Sequence, residues 1–162
     1  MECIILIGLP GSGKSTYVNN INKNDDYYIA STDNLIDEYC LKHNINYSVA
    51  WNILANGEIE NLKTIEMDMF DGFLNAVAQN KNIIVDRTNM SINARNKFLS
   101  KLPNTYTKKA IIFTVPDDEL RDRLQKRNDE TGKYIPKHVL KMMKSSYEEP
   151  TLVEFDIIQE NV

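Results

Sequence analysis

The stretch Cys3-Ile4-Ile5-Leu6-Ile7-Gly8-Leu9-Pro10-Gly11-Ser12-Gly13-Lys14-Ser15-Thr16 decides the reading of this chain. A short apolar run rich in isoleucine, Cys3–Leu9, is what a parallel strand covered on both faces requires. It passes straight into G-x-x-x-x-G-K-[ST], spanning Gly8 to Ser15. Gly8, Gly11 and Gly13 let main-chain amides turn toward a phosphate with no Cβ in the way. The helix expected next points its electropositive N-terminus at the same place. In this motif Lys14 reaches the β- and γ-phosphates and the Ser15 hydroxyl ligates Mg²⁺, while Pro10, Ser12 and Thr16 complete the cradle. The expected ligands are therefore ATP, or another nucleoside triphosphate, and Mg²⁺.

Outward from that motif, short runs rich in Ile, Val or Tyr recur at Tyr27–Ala30, Ile83–Val85, Ala110–Val115 and Phe155–Ile158. Helical patterns fill the intervals. One spans about Glu58 to Gln79, with Ile59, Leu62, Ile65, Met69, Phe73 and Ala76 spaced by threes and fours. Another opens at Ser91, a good N-cap, and a third after Pro116, where Asp117 and Asp118 suit a helix start. A fourth runs from Pro136 to about Tyr147. Strands alternating with helices predict an α/β fold, a five-stranded parallel sheet with helices on both faces. Repeats, low-complexity segments and linkers are absent from the sequence, so residues 1–162 read as one P-loop kinase domain.

Composition fits this class. The chain of 162 residues is 42% hydrophobic and 26% charged with a formal charge of −4, which does not advertise a nucleic-acid binder. No apolar run approaches the roughly 18 residues that span a membrane, and the apolar start carries Glu2 and no cleavage site. Cys3 and Cys40 are too few and scattered for a disulfide framework or zinc site. They read as reduced thiols of a cytoplasmic protein. Richness in Asn, Lys, Ile and Tyr suits an AT-rich genome, phage or bacterial.

Chemistry in an open parallel sheet collects beyond the carboxyl ends of the strands. Asp33 stands there after the second run, in Ala30-Ser31-Thr32-Asp33-Asn34. It could accept the proton of an attacking hydroxyl, order magnesium waters, or simply cap the next helix, as could Thr32. Asp86 closes the third run, in Ile83-Ile84-Val85-Asp86-Arg87-Thr88-Asn89, where P-loop enzymes carry the carboxylate that orders the magnesium shell. A turn or cap residue is the plainer alternative.

From Glu119 to Lys144, eight basic side chains stand against four acidic ones. Arg121-Asp122-Arg123-Leu124-Gln125-Lys126-Arg127 leads to Gly132, the layout of a lid that carries arginines toward phosphates. Arg123 and Arg127 are the candidates for phosphate contact, and Arg127, at the start of the lid, for transition-state charge. A solvated helix face is the alternative, and it is the reading for Lys141 and Lys144. His43 and His138 lack metal-ligand spacing, and Trp51, Tyr47 and the methionines are expected to fill the core.

Taken together, these residues resemble the 5′-hydroxyl polynucleotide kinase family, the kinase module of phage and animal end-healing enzymes, from Ile4 to Ile158. The P-loop at 8–16 matches closely. Thr32-Asp33 occupies the place of the family's general base, and Asp86-Arg87-Thr88-Asn89 its Asp-x-Thr-Asn element. Val115-Pro116, Arg127-Asn128 and Glu149-Pro150-Thr151 match further elements in order. The resemblance implies transfer of the ATP γ-phosphate to the 5′-hydroxyl of a DNA or RNA end, with Asp33 as base. The departures are Ile36, where the phage enzymes have an arginine on the acceptor's phosphate, Thr131, where a second lid arginine falls, and the missing phosphatase domain. Two other classes stay open: a kinase of a nucleoside or other small alcohol, and a non-catalytic ATP-binding module.

Overall fold

The protein is described here from a computed structural model covering residues 1–161. Strand β1 (Glu2–Ile7) is the apolar run of the opening motif, and its alternate residues feed two different layers. Cys3, Ile5 and Ile7 pack with Met69, Phe73 and Ala76 of helix α4 (Leu62–Ala78) and Phe98 and Leu99 of α5 (Ile92–Leu99). Ile4 and Leu6 point the other way, onto Val18 and Tyr17 of α1 (Lys14–Ile21). This two-sided burial is why the strand is apolar at every position rather than at every second one.

Four more strands complete the sheet: β2 (Tyr27–Ala30), β3 (Asn82–Val85), β4 (Thr107–Phe113) and β5 (Ile157–Asn161). Their order is β2-β3-β1-β4-β5 and every pairing is parallel. The chain leaves β1 for β2, returns through β3 beside β1, and then crosses to β4. The direction of winding reverses around the C-terminal end of β1, which puts the Gly8–Thr16 loop in the crevice where such sheets bind ligands. The five-stranded parallel α/β sheet expected from the sequence is the one observed.

The remaining helices are α2 (Thr32–His43), α3 (Tyr47–Asn56), α6 (Asp117–Thr131) and α7 (Lys137–Ser145). Several boundaries differ from the sequence reading for local reasons. Helix α4 begins at Leu62 rather than near Glu58, because Asn61 and Thr64 form a reciprocal capping box. Ile59 is left outside it, 87% exposed. Phe155 is a buried core residue ahead of β5 rather than its first member. The helix expected after Pro116 runs unbroken over Asp117–Thr131 to Gly132 at φ 72°, so Arg123 and Arg127 both project from its body. Trp51 is not in the core but 44% exposed on α3, and Met67 and Met142 are also exposed, whereas Met69 and Met90 are buried.

The C-terminal segment is fastened by a buried cation. Arg95 has no exposed surface. It donates to both oxygens of Glu154, at 2.8 and 3.0 Å, and to the carbonyls of Asn89, Met90 and Glu148 at 3.2, 3.1 and 2.9 Å. One guanidinium thereby ties α5 to the loop after β3 and to residues 148–154. Removing one member of such a pair strands the other charge in a poorly solvated place. Arg95→Ala should therefore cost about 3–5 kcal/mol of folding stability, read from urea unfolding. A loss under about 1 kcal/mol would remove Arg95 from this structural role.

Candidate active site

The loop after β1 has the backbone its glycines permit. Gly11 and Gly13 sit at φ 82° and 102°, left-handed values that carry a penalty with any side chain. Gly8 is fixed by proximity instead: a Cβ there would lie 2.9 Å from the Phe113 carbonyl oxygen. The Lys14 ammonium turns back across the loop and donates to the carbonyls of Gly8 and Leu9 at 2.9 and 2.8 Å. Ser15 and Thr16 stand exposed in the first turn of α1, and Pro10 is half-buried in the turn before it. The Ser12 hydroxyl is buried without a hydrogen-bond partner among the described residues. An unpaired buried hydroxyl inside a ring of amides fits an anion that supplies the missing acceptor or donor.

A second set of hydrogen bonds brings the two acidic candidates to this loop. Asp86 N–H donates to Ala30 at 3.0 Å, which extends the β2–β3 pairing by one residue and carries Ser31-Thr32-Asp33 alongside. Gly8 N–H donates to Thr88 at 3.0 Å. Asn89, at φ 48° and buried, donates its side-chain amide to Leu6 at 2.8 Å. Thr88 and Asn89 thus clamp the Asp86 loop onto the end of β1. That clamp is structural, and it sets Asp86 opposite Lys14.

The electrostatics follow from this placement. Burial pushes Lys14 down from its ordinary value to about 8, and Asp86, Arg127 and Asp33 all act on it through space. Burial raises Asp86 in turn, opposed by the Lys14 charge. Among the described residues no three His, Cys, Asp or Glu side chains form a metal cage. A divalent ion held mainly by phosphate oxygens and water with one or two protein oxygens, as Mg²⁺ usually is, needs none. Ser15 and Asp86 are the residues at hand for it.

Asp33 lies in the first turn of α2, and the cap of that helix is Ser31, whose hydroxyl accepts from Asn34 N–H. Asp33 is therefore free of the capping duty and its carboxylate is engaged elsewhere. The Tyr47 hydroxyl donates to one oxygen at 2.9 Å, and Arg127 to the other at 3.1 Å. Arg123, one turn before Arg127 on α6, donates to the Gly11 carbonyl at 3.3 Å and pairs with Glu119. Lys133 holds Asp37 at 3.0 Å with its ammonium 4.3 Å from the centre of the Tyr47 ring. The loop, Lys14, Asp86, Asp33, Arg123 and Arg127 thus gather at one end of the sheet. Lys141 and Lys144 stand apart on exposed α7, with Lys144 paired to Asp117. Ile36 is buried with Ala50 and Leu54, so this position belongs to the α2–α3 core.

Tyr47 is the site residue that the sequence reading placed in the core. The signal was present in Asn46-Tyr47 followed by Ala50 and Leu54, a capped helix whose first turn sits beside Asp33.

A family model described as an AAA domain matches residues 3–150. The chain belongs to this AAA domain family, of P-loop, kinase-like fold. Solved structures share the fold over three quarters of the chain or more. A protein described as a kinase from Chloroflexus aurantiacus is 15% identical, with 99% of this chain and 84% of that one covered and a TM-score of 0.68. A gluconokinase from Sinorhizobium meliloti is 16% identical over 98% and 82%, with a TM-score of 0.56. A chain of the Pnkp1/Rnl/Hen1 complex is 20% identical over 75% of this chain and 38% of that one, at 0.54. At these identities the likeness shows the fold alone. No helix among the described residues is long and apolar enough to cross a membrane.

A phosphate on the loop would restore the proton that burial withdraws from Lys14. Binding of ATP at pH 8.5 should therefore be accompanied by proton uptake, and affinity should fall as pH rises past about 8. Calorimetry in buffers of different ionisation enthalpy reads this directly. Heats independent of buffer at pH 8.5 would mean that Lys14 is already charged in the free protein.

Proposed function

We propose that the protein is an ATP- and Mg²⁺-dependent polynucleotide 5′-kinase, transferring the γ-phosphoryl group to the 5′-hydroxyl of a DNA or RNA end. The observation that carries the phosphotransfer reading is the position of Asp33, a half-buried carboxylate beside the phosphate loop that caps no helix. The polynucleotide acceptor rests on the sequence resemblance at Thr32-Asp33, Asp86–Asn89 and Arg127-Asn128.

In the proposed reaction the acceptor oxygen attacks the γ-phosphorus while the bond to the β,γ-bridging oxygen breaks. Asp33 takes the hydroxyl proton, and ADP leaves with the bridging oxygen. Lys14 and the loop amides hold the β- and γ-oxygens, already oriented toward the charge that shifts onto the β,γ-bridging oxygen in the transition state. Ser15 and Asp86 would hold Mg²⁺, which would supply further neutralisation of the phosphate oxygens. Arg127 is paired with Asp33 in the structure described here. The same guanidinium can turn to a phosphate, which frees the carboxylate for the incoming hydroxyl.

A kinase acting on a small alcohol would use the same donor half. Labelled ATP offered with a 5′-hydroxyl oligonucleotide, nucleosides and sugars separates the two, and label on the oligonucleotide is the expected result. Label only on a nucleoside or sugar would reassign the acceptor. Asp33→Asn should lower turnover at least about 100-fold with ATP still bound, and parental turnover would place the base elsewhere. Arg127→Ala should reduce kcat more than it raises the acceptor KM, whereas a change in KM alone would make Arg127 a docking residue.

A further inference from the structure

Helix α3 carries an aromatic pair whose chemistry the proposed reaction leaves unused. Its buried side, Ala50 and Leu54, packs on Ile36 of α2. Tyr47 packs at the edge of this cluster, and Trp51, one turn on, stands outside it, with ring centres 6.1 Å apart and planes inclined by 20°. Tyr47 is partly buried, held through its hydroxyl by Asp33 and flanked by the Lys133 ammonium. Burial first and then the Asp33 charge raise the Tyr47 phenol, so it remains a proton donor to that carboxylate. Trp51, stacked on this anchored ring, is left 44% exposed. A large apolar ring turned to water, one residue removed from the proposed base, is where an acceptor-side contact would be built.

We propose that Trp51, supported by Tyr47, is the platform on which the base of the acceptor's 5′-terminal nucleotide stacks. This rests on the reading of Asp33 as the base of a 5′-kinase. A nucleotide carries its 5′-hydroxyl and its base on one ribose, so an oxygen delivered to Asp33 brings a flat aromatic ring within a ribose's reach of it, and α3 supplies the aromatic ring that touches Asp33. Every base has a π-face, and stacking on an aromatic side chain holds it without reading its sequence. A sugar or polyol has no such face. The same pair therefore covers the full face of a base, whereas a saccharide meets the ring only through C–H bonds. Tyr47 has a positioning role: its hydroxyl orients Asp33 while its ring sets the height of Trp51.

Trp51 is the single tryptophan of the chain, so its fluorescence reports this surface alone. The full-length protein is titrated with a 5′-hydroxyl oligothymidylate, with the same strand carrying an abasic 5′-terminal nucleotide, and with thymidine. Quenching by the base-bearing strand and by thymidine, and much weaker quenching by the abasic strand, is expected. Equal quenching by both strands, or none, overturns the platform. In transfer assays Trp51→Ala should raise the KM for the base-bearing strand roughly 5- to 100-fold with kcat changed far less. It should also abolish the preference over the abasic strand, and Trp51→Phe should restore both. Strands phosphorylated regardless of the terminal base would remove the platform and keep the 5′-kinase. Quenching by thymidine with no strand phosphorylated would do the reverse.

Discussion

Everything at this site depends on one desolvated ammonium. Lys14 is buried at the end of the central strand, and in the free protein two main-chain carbonyls of its own loop hold it. Keeping a cation there is unfavourable, as its lowered pKa of about 8 records. The loop tolerates it because Gly11 and Gly13 accept left-handed backbone and because Asp86 stands opposite. Triphosphate oxygens are better partners than carbonyl dipoles. In the proposed reaction a triphosphate would take the place of those carbonyls, so that binding energy would fall where the transferring phosphoryl group is proposed to lie.

Rigidity at this end of the sheet comes from short polar clamps, not from the apolar core alone. Asn89 spans to Leu6, Gly8 to Thr88 and Asp86 to Ala30. These bonds lock the phosphate loop, the Asp86 loop and the start of α2 to one another. Arg95 anchors the far side of the same loop through Asn89 and Met90. The groups proposed for chemistry are carried on this frame, while their partners Arg123, Arg127 and Lys133 come from α6 and the turn after it. Those contacts are fewer and mostly more exposed, which suits the exchange of partners proposed for Arg127.

Much of this was legible in the sequence because it is local. The strand at residues 2–7 and its glycine-rich loop are read from neighbours along the chain, and so are Ser91 as a cap and the acidic start of α6. The parallel sheet follows from alternation of elements. What was hidden depends on partners distant in sequence. Arg95 looks like a solvated helix charge until Glu154, 59 positions on, is brought against it. Tyr47 and Trp51 look like core residues because aromatic rings usually are, and only the packing of α3 on α2 brings the Tyr47 hydroxyl to Asp33 and leaves Trp51 exposed. Ser31 as the cap of α2, which releases Asp33, was overlooked because Thr32 and Asp33 are also good cap residues.

The central claim is that Asp33 receives the acceptor's proton beside a phosphate held by Lys14. A crystal structure with ADP, Mg²⁺, aluminium fluoride and a 5′-hydroxyl dinucleotide tests it most directly. The account predicts the Asp33 carboxylate within hydrogen-bond distance of the attacking oxygen, with Arg127 turned from Asp33 to the fluoride. An Asp33 still paired to Arg127, with the hydroxyl approaching from another side, would contradict it.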